Sequence, residues 1–270
     1  MRDARGPPVT AGPVASVVVQ SYHLTVRDLR NSLRQPSYVL AALIQPIAWL
    51  LLFGKLLGPL LEHGSADGSY LAFLTPGIVA MTAVFSSGWA GMGIVAEMEH
   101  GTLNRFLITP VPRGALVTGR LTQQAVVVLG QTLIVLAFGL ALGARFSGGV
   151  LILVVFFACV LLGALSVAAL SNALGLVTRR HQRVLSVGQF LLLPLAFLSE
   201  IFVPRDVMPG WMRAVATVNP VNWVVEVGRE ATRGDVGWAG VLDRTFALLA
   251  LTAACAWLSA MAFRHYQRQV

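Results

Sequence analysis

Residues 97–113, EMEHGTLNRFLITPVPR, gather two glutamates, a histidine and two arginines between some of the most apolar stretches of the chain. Side chains of these types can form ion pairs and hydrogen bonds with a partner, and Pro110 and Pro112 stiffen the exit. They do not make a catalytic centre. No HExxH, GxSxG or paired CxxC occurs, so neither a metal-bound water nor an activated nucleophile has sequence support. The five histidines (His23, His63, His100, His181, His265) are scattered, and no metal site is expected. A phosphate-binding loop needs a lysine after glycine, followed by Ser or Thr. The single lysine, Lys55, sits instead in FGKLL. The chain reads as a non-enzyme without a cofactor of its own; if it pumps anything, the energy must come from another subunit.

The elements around this stretch are apolar. Only 12% of the 270 residues are charged and mean hydropathy is +0.73, about half the charge of an ordinary soluble domain. Charge-free intervals run over 35–54, 68–96, 121–144, 146–178, 184–199 and 245–263. About 20 apolar residues of helix cross a bilayer, so the expectation is an all-α polytopic membrane protein. Its six transmembrane helices fall at about 37–57, 70–95, 117–142, 149–177, 184–203 and 243–263. No carboxylate or basic group lies in mid-span, which disfavours ion-coupled transport. Cys159 and Cys255 fall within spans and read as small apolar residues.

Orientation follows from the arginines. With the N-terminus inside, the inner segments carry thirteen of the twenty basic residues and four of the twelve acids. Both termini are therefore expected on the cytoplasmic side. The basic balance reflects this topology and implies no nucleic-acid partner. Nineteen arginines to one lysine suggest a GC-rich, bacterial genome, hence a bacterial plasma membrane. No cleavable signal is evident in residues 1–20, a Pro- and Gly-rich stretch read as a mobile tail, so the first span is expected to target the chain.

Residues 21–270 read as a single transmembrane domain. In 21–35, Tyr22, Val26, Leu29 and Leu33 share one helical face, with Arg27, Arg30 and Arg34 on the other side. A basic amphipathic helix before a span belongs in the membrane interface, in contact with lipid. The segment between the last two spans is too long for a turn and too apolar for a solvated loop, and it contains Asn219 and Asn222. Short re-entrant helices explain both features, although an amphipathic surface loop remains open. Within 97–113, Thr102 can cap a short helix after Gly101, and Leu103, Phe106 and Leu107 share one face. Pro110 ends it. An apolar knob with polar flanks fits a groove in a soluble partner.

The string EMEHGTLNRFLITPVPRGALVTGR resembles the signature of ABC type-2 permeases, the membrane subunits of drug, lipid and polysaccharide exporters. Glu97, Glu99, Gly101, Thr102, Leu103, Leu107, Thr109, Pro110, Val111, Arg113, Gly119 and Arg120 match it. His100, Asn104 and Pro112 depart from it, which bears on the choice of partner. LIQPIAWLLLFG and PGWMRAVATVNPVNWVVEVGR extend the likeness over nearly the whole chain from about residue 20. The daunorubicin-resistance-like branch is the most similar.

The resemblance implies a half-transporter with an N-terminal interfacial helix, a cytoplasmic coupling helix and re-entrant helices before the last span. It would assemble with a second permease copy or paralogue and with ABC ATPase subunits, and export an amphiphilic drug-like or lipid substrate. In that frame Glu97, Glu99 and Arg105 are candidate contacts to the ATPase. Glu200, Asn219 and Asn222 are candidates for an outer exit, and Trp49, Phe53, Phe85 and Trp89 for an apolar substrate route. Core or lipid-facing packing explains any one of these aromatics as readily. A membrane anchor or sensory subunit that docks an ATPase without moving cargo stays open as the alternative.

Overall fold

The computed structural model describes residues 36–61, 70–100, 114–234 and 236–267. Every regular element among them is helical. In chain order these are α1 (Pro36–Leu61), α2 (Tyr70–Gly88), α3 (Ala90–Glu99), α4 (Gly114–Ala141), α5 (Gly149–Thr178), α6 (His181–Phe197), α7 (Gly210–Val218), α8 (Pro220–Glu230) and α9 (Trp238–Gln267). The tail 1–20, the interfacial segment 21–35 with Arg27, Arg30 and Arg34, and Gly101, Thr102, Leu103, Arg105, Phe106, Leu107 and Pro110 lie outside the described residues.

Four helices are long and apolar enough to cross a membrane: Tyr70–Glu99, Gly119–Ala141, Gly149–Thr178 and Trp238–Tyr266. They coincide with the expected second, third, fourth and sixth spans. The first is present as a shorter apolar stretch, Leu43–Pro59, within α1. The fifth departs from expectation. Helix α6 ends at Phe197, and residues 198–203 turn away from it. Pro194 lies in its last turn and has no N–H to donate to the Phe190 carbonyl one turn earlier.

Helix α5 is the hub. Its sequence is apolar on every side, the pattern of a helix surrounded by protein or lipid. It is rich in small residues: Gly163, Ala164, Ala168, Ala169, Ser171 and Gly175 are buried, which lets neighbouring backbones approach closely. Helix α9 packs along it most extensively, and α2, α3, α4 and α8 also lean on it. The main core gathers Leu50, Leu74, Ile78, Phe156 and Val224. A satellite cluster of Ile94, Leu176, Phe263 and Tyr266 ties the ends of α3, α5 and α9. Next to it Arg179 closes α5 in a left-handed conformation, φ 52°, with its guanidinium 4.9 Å from the centre of the Tyr266 ring.

The second expected span is not one continuous helix. It breaks at Trp89, where the Met92 N–H turns back to the Trp89 carbonyl at 3.0 Å. The cause lies on α5. The Ser171 hydroxyl donates to the Gly88 carbonyl at 2.5 Å and accepts the Gly91 N–H at 2.9 Å, so the break leaves neither group unpaired. Glycines make room for it. A Cβ on Gly91 would fall 2.0 Å from the Ser171 carbonyl oxygen, and one on Gly175 2.6 Å from the Gly91 oxygen.

Candidate functional site: a central cleft between two ionic layers

Helices α1, α2, α3 and α4 surround a cleft of about 740 Å³, backed by Asn172 of α5. Trp49 of α1, Phe85 of α2 and Trp89 at the break supply an aromatic wall. Three of the four aromatics proposed from sequence thus come together. Phe53 does not line the cleft. It stacks on Trp49 at 5.1 Å and meets Phe202 at 4.9 Å, supporting the wall from behind. Both are ordinary distances for aromatic pairs.

An amide-rich strip interrupts the apolar surface. Gln45, Gln123, Gln124 and Gln131 line the cleft together with Asn172. Gln124 donates to Ser87 at 3.0 Å and to Ser86 at 3.4 Å, tying α4 to α2. The Gln131 Oε1 and Asn172 Oδ1 atoms are buried without a hydrogen-bond partner among the described residues. Both fall within expected spans, and neither was singled out from the sequence. Their helical registers place them on spans far apart in sequence, so only the fold joins them.

Ionic groups frame the cleft at one end. Glu97 at the end of α3 pairs with Arg120 of α4, which also donates to the Gly93 carbonyl at 3.2 Å. Glu99 pairs with His181, the first residue of α6, at 3.3 Å. The two glutamates expected to face an ATPase therefore also tie α3 to its neighbours within the chain. Both pairs are partly solvated: the carboxylate side chains are 29% and 60% exposed. Each contributes at most about 1 kcal/mol.

The opposite layer is larger and drier. Glu200, 5% exposed, meets the Arg229 guanidinium of α8 at 2.5 Å, and Arg205 lies 3.4 Å away. A second Arg229 nitrogen donates to the Glu200 carbonyl, and the guanidinium carbon stands 3.9 Å from the centre of the Phe73 ring. Burial lowers the proton affinity of Arg229, and the Glu200 carboxylate opposes that effect. Asn222 accepts the Glu200 N–H at 2.8 Å and donates to Glu226 at 2.9 Å, while Arg244 of α9 donates to Glu226 at 2.7 Å.

Asn219 does a different job. It caps α8 by accepting the Val221 N–H at 3.0 Å, with Pro220 opening the helix. Its amide donates to the Leu195 and Leu198 carbonyls at 2.6 and 3.2 Å, where α6 ends. Helix α8 itself packs among α2, α5 and α9. The structure thus places Glu200, Asn219 and Asn222 in one region. Arg229 was missed, although an arginine in the apolar string VNWVVEVGRE was a usable signal for a buried counter-ion. Among the described residues no group of His, Cys, Asp and Glu could hold a metal ion.

Residues 19–232 match the family described as ABC-2 type transporter. The chain is 30% identical over 206 residues to the daunorubicin resistance ABC transporter permease protein DrrB1 of Streptomyces coeruleorubidus, covering 75% of this chain and 71% of the relative. It is 29% identical over 211 residues to the putative transport permease ycf38 of Cyanophora paradoxa, covering 77% and 72%. To the probable doxorubicin resistance ABC transporter permease protein DrrC of Mycobacterium tuberculosis it is 27% identical over 241 residues, covering 89% and 83%. Four long apolar helices, a fifth apolar stretch and this likeness across most of the chain agree: the protein belongs to the ABC-2 type transporter family of membrane permeases.

Proposed function

We propose that this chain is the permease subunit of an ATP-driven exporter that moves an amphiphilic drug-like or lipid substrate out of the cytoplasm. The observation that carries the reading is the cleft of about 740 Å³ walled by Trp49, Phe85 and Trp89. Pockets of this size, mostly apolar with a few convergent polar groups, suit drug-sized ligands. The resistance names of two relatives agree with such a cargo. Helices α1 and α6 complete six spans in this proposal, and α7 and α8 re-enter from the outer side. Both termini, with the layer of Glu97, Glu99 and Arg120, face the cytoplasm of a bacterial cell.

ATP and Mg bind a separate ABC ATPase, and a second copy or a paralogue completes the membrane part. Residues 101–110 dock the ATPase, with Leu103, Phe106 and Leu107 as the apolar contact. The ion pairs at Glu97 and Glu99 pass movement of that segment to α4 and α6. The test is co-purification from the native membrane in mild detergent. A P-loop ATPase should accompany the protein and be lost when Leu103, Phe106 and Leu107 are changed to Ser. Absence of an ATPase from both preparations would overturn the reading.

A further inference from the structure

The cleft carries a more specific assignment. Its wall is aromatic, its interior holds two buried carbonyl oxygens without donors, Gln131 Oε1 and Asn172 Oδ1, and no carboxylate is among its described lining residues. Arg120, at its edge, is already paired with Glu97. A cationic ligand would therefore find no counter-charge there. An anionic one would have to displace Glu97 from Arg120, or Glu99 from His181, which also lines the cleft. A buried carbonyl oxygen needs a donor, and in this setting a ligand O–H supplies one. The flat indole and phenyl faces suit a rigid ring system.

We propose that the cleft within a single protomer is a binding site for neutral, polycyclic amphiphiles that carry free hydroxyl groups, recognised by donation to Gln131 and Asn172. This rests on the exporter reading for its role in transport, but not for binding itself. The aromatic wall and both amides belong to this chain, and the proposal is that they suffice for binding without ATP or the ATPase. Asn172 and Ser171 are adjacent on α5, and Ser171 anchors the α2–α3 break. The ligand therefore sits beside the point where that span bends.

The experiment uses the full-length protein, without ATPase, in detergent or lipid nanodiscs. Binding is read as quenching of tryptophan emission, with Trp49→Phe/Trp89→Phe as the variant that should lose the signal. The probes are estradiol, its dimethyl ether, which keeps the rings but has no O–H, and the 17-amino analogue, which is cationic. The wild type should favour estradiol over the ether by about tenfold, the worth of one or two hydrogen bonds. Gln131→Leu should erase that preference while retaining the ether. Gln131→Glu should turn selectivity toward the amine, a change that a purely structural role for Gln131 would not produce.

Equal binding of estradiol and its ether to the wild type would overturn the proposal. So would a preference that survives Gln131→Leu. Failure of every steroid to bind, for a protein that does recruit an ATPase in the co-purification test, would remove this site and leave the exporter reading standing. Steroid selectivity as expected in a protein that recruits no ATPase would do the reverse.

Discussion

Ser171 and Gly91, eighty residues apart, meet where the second long apolar segment loses its helical continuity: the serine hydroxyl accepts the glycine N–H at 2.9 Å and donates to the Gly88 carbonyl. One side chain thus replaces hydrogen bonds that the helix itself forgoes at Trp89. The contact works only because Gly91 and Gly175 carry no Cβ.

Ser171→Ala should leave a donor and an acceptor unpaired at a buried site and destabilise the protein by about 1–3 kcal/mol. Gly91→Ala, whose methyl would overlap the α5 backbone, should cost about 3 kcal/mol. Thermal unfolding in detergent measures both. A Ser171→Ala protein as stable as the wild type would show that the helix restores its own hydrogen bonds.

Glu200→Gln should cost about 3–5 kcal/mol, because it leaves Arg229 buried without a counter-charge. Replacing Glu200 and Arg229 together by Leu and Met should recover most of that loss, since a well-packed apolar pair can substitute for a buried ionic one. Efflux of the recovered double variant then separates stability from an exit role. Normal efflux would remove Glu200 from the transport path.

At the opposite end, Glu97→Arg and Arg120→Glu test which partner matters. If the intrachain pair is the functional one, each single change should lower ATP-coupled transport and the double exchange should restore it. Stability should change by no more than about 1 kcal/mol, given the exposure of the pair. A double exchange that assembles with ATPase poorly would return Glu97 to the docking interface.

Asn219→Ala should detach the start of α8 and release the Leu195 and Leu198 carbonyls. Loss of the cap alone is worth about 1–2 kcal/mol. Hydrogen exchange should rise first at the amides of residues 221–223 and at the end of α6. Protection unchanged in both segments would show that packing of α8 suffices without its cap.

Much of this architecture was legible in the spacing of charges. The intervals 68–96, 121–144, 146–178 and 245–263 mark the four long apolar helices because burying or embedding a charge is costly. Asn219, named from the sequence only as an exit candidate, is the cap of α8 with Pro220 behind it. Other features were not legible, because their causes are remote in sequence. Nothing near Trp89 reveals the break that Ser171 stabilises. Glu97 and Glu99 read equally well as contacts to another protein until Arg120 and His181 are found beside them. Gln131 and Asn172 show their common purpose only when α4 and α5 are packed.

The position of the break has a mechanical consequence. At 1.5 Å per residue, the nineteen residues of α2 make an arm of about 28 Å and the ten of α3 one of about 15 Å. The fulcrum is the Ser171 contact, and Trp89 rides on it. Swinging the short arm alone would reshape the aromatic wall beside it, while the long arm stays anchored by Tyr70, whose hydroxyl donates to the Phe202 carbonyl at 3.0 Å. In shape the segment is a crank rather than a rod, so a displacement of α3 would change the wall at Trp89 without requiring α2 to move.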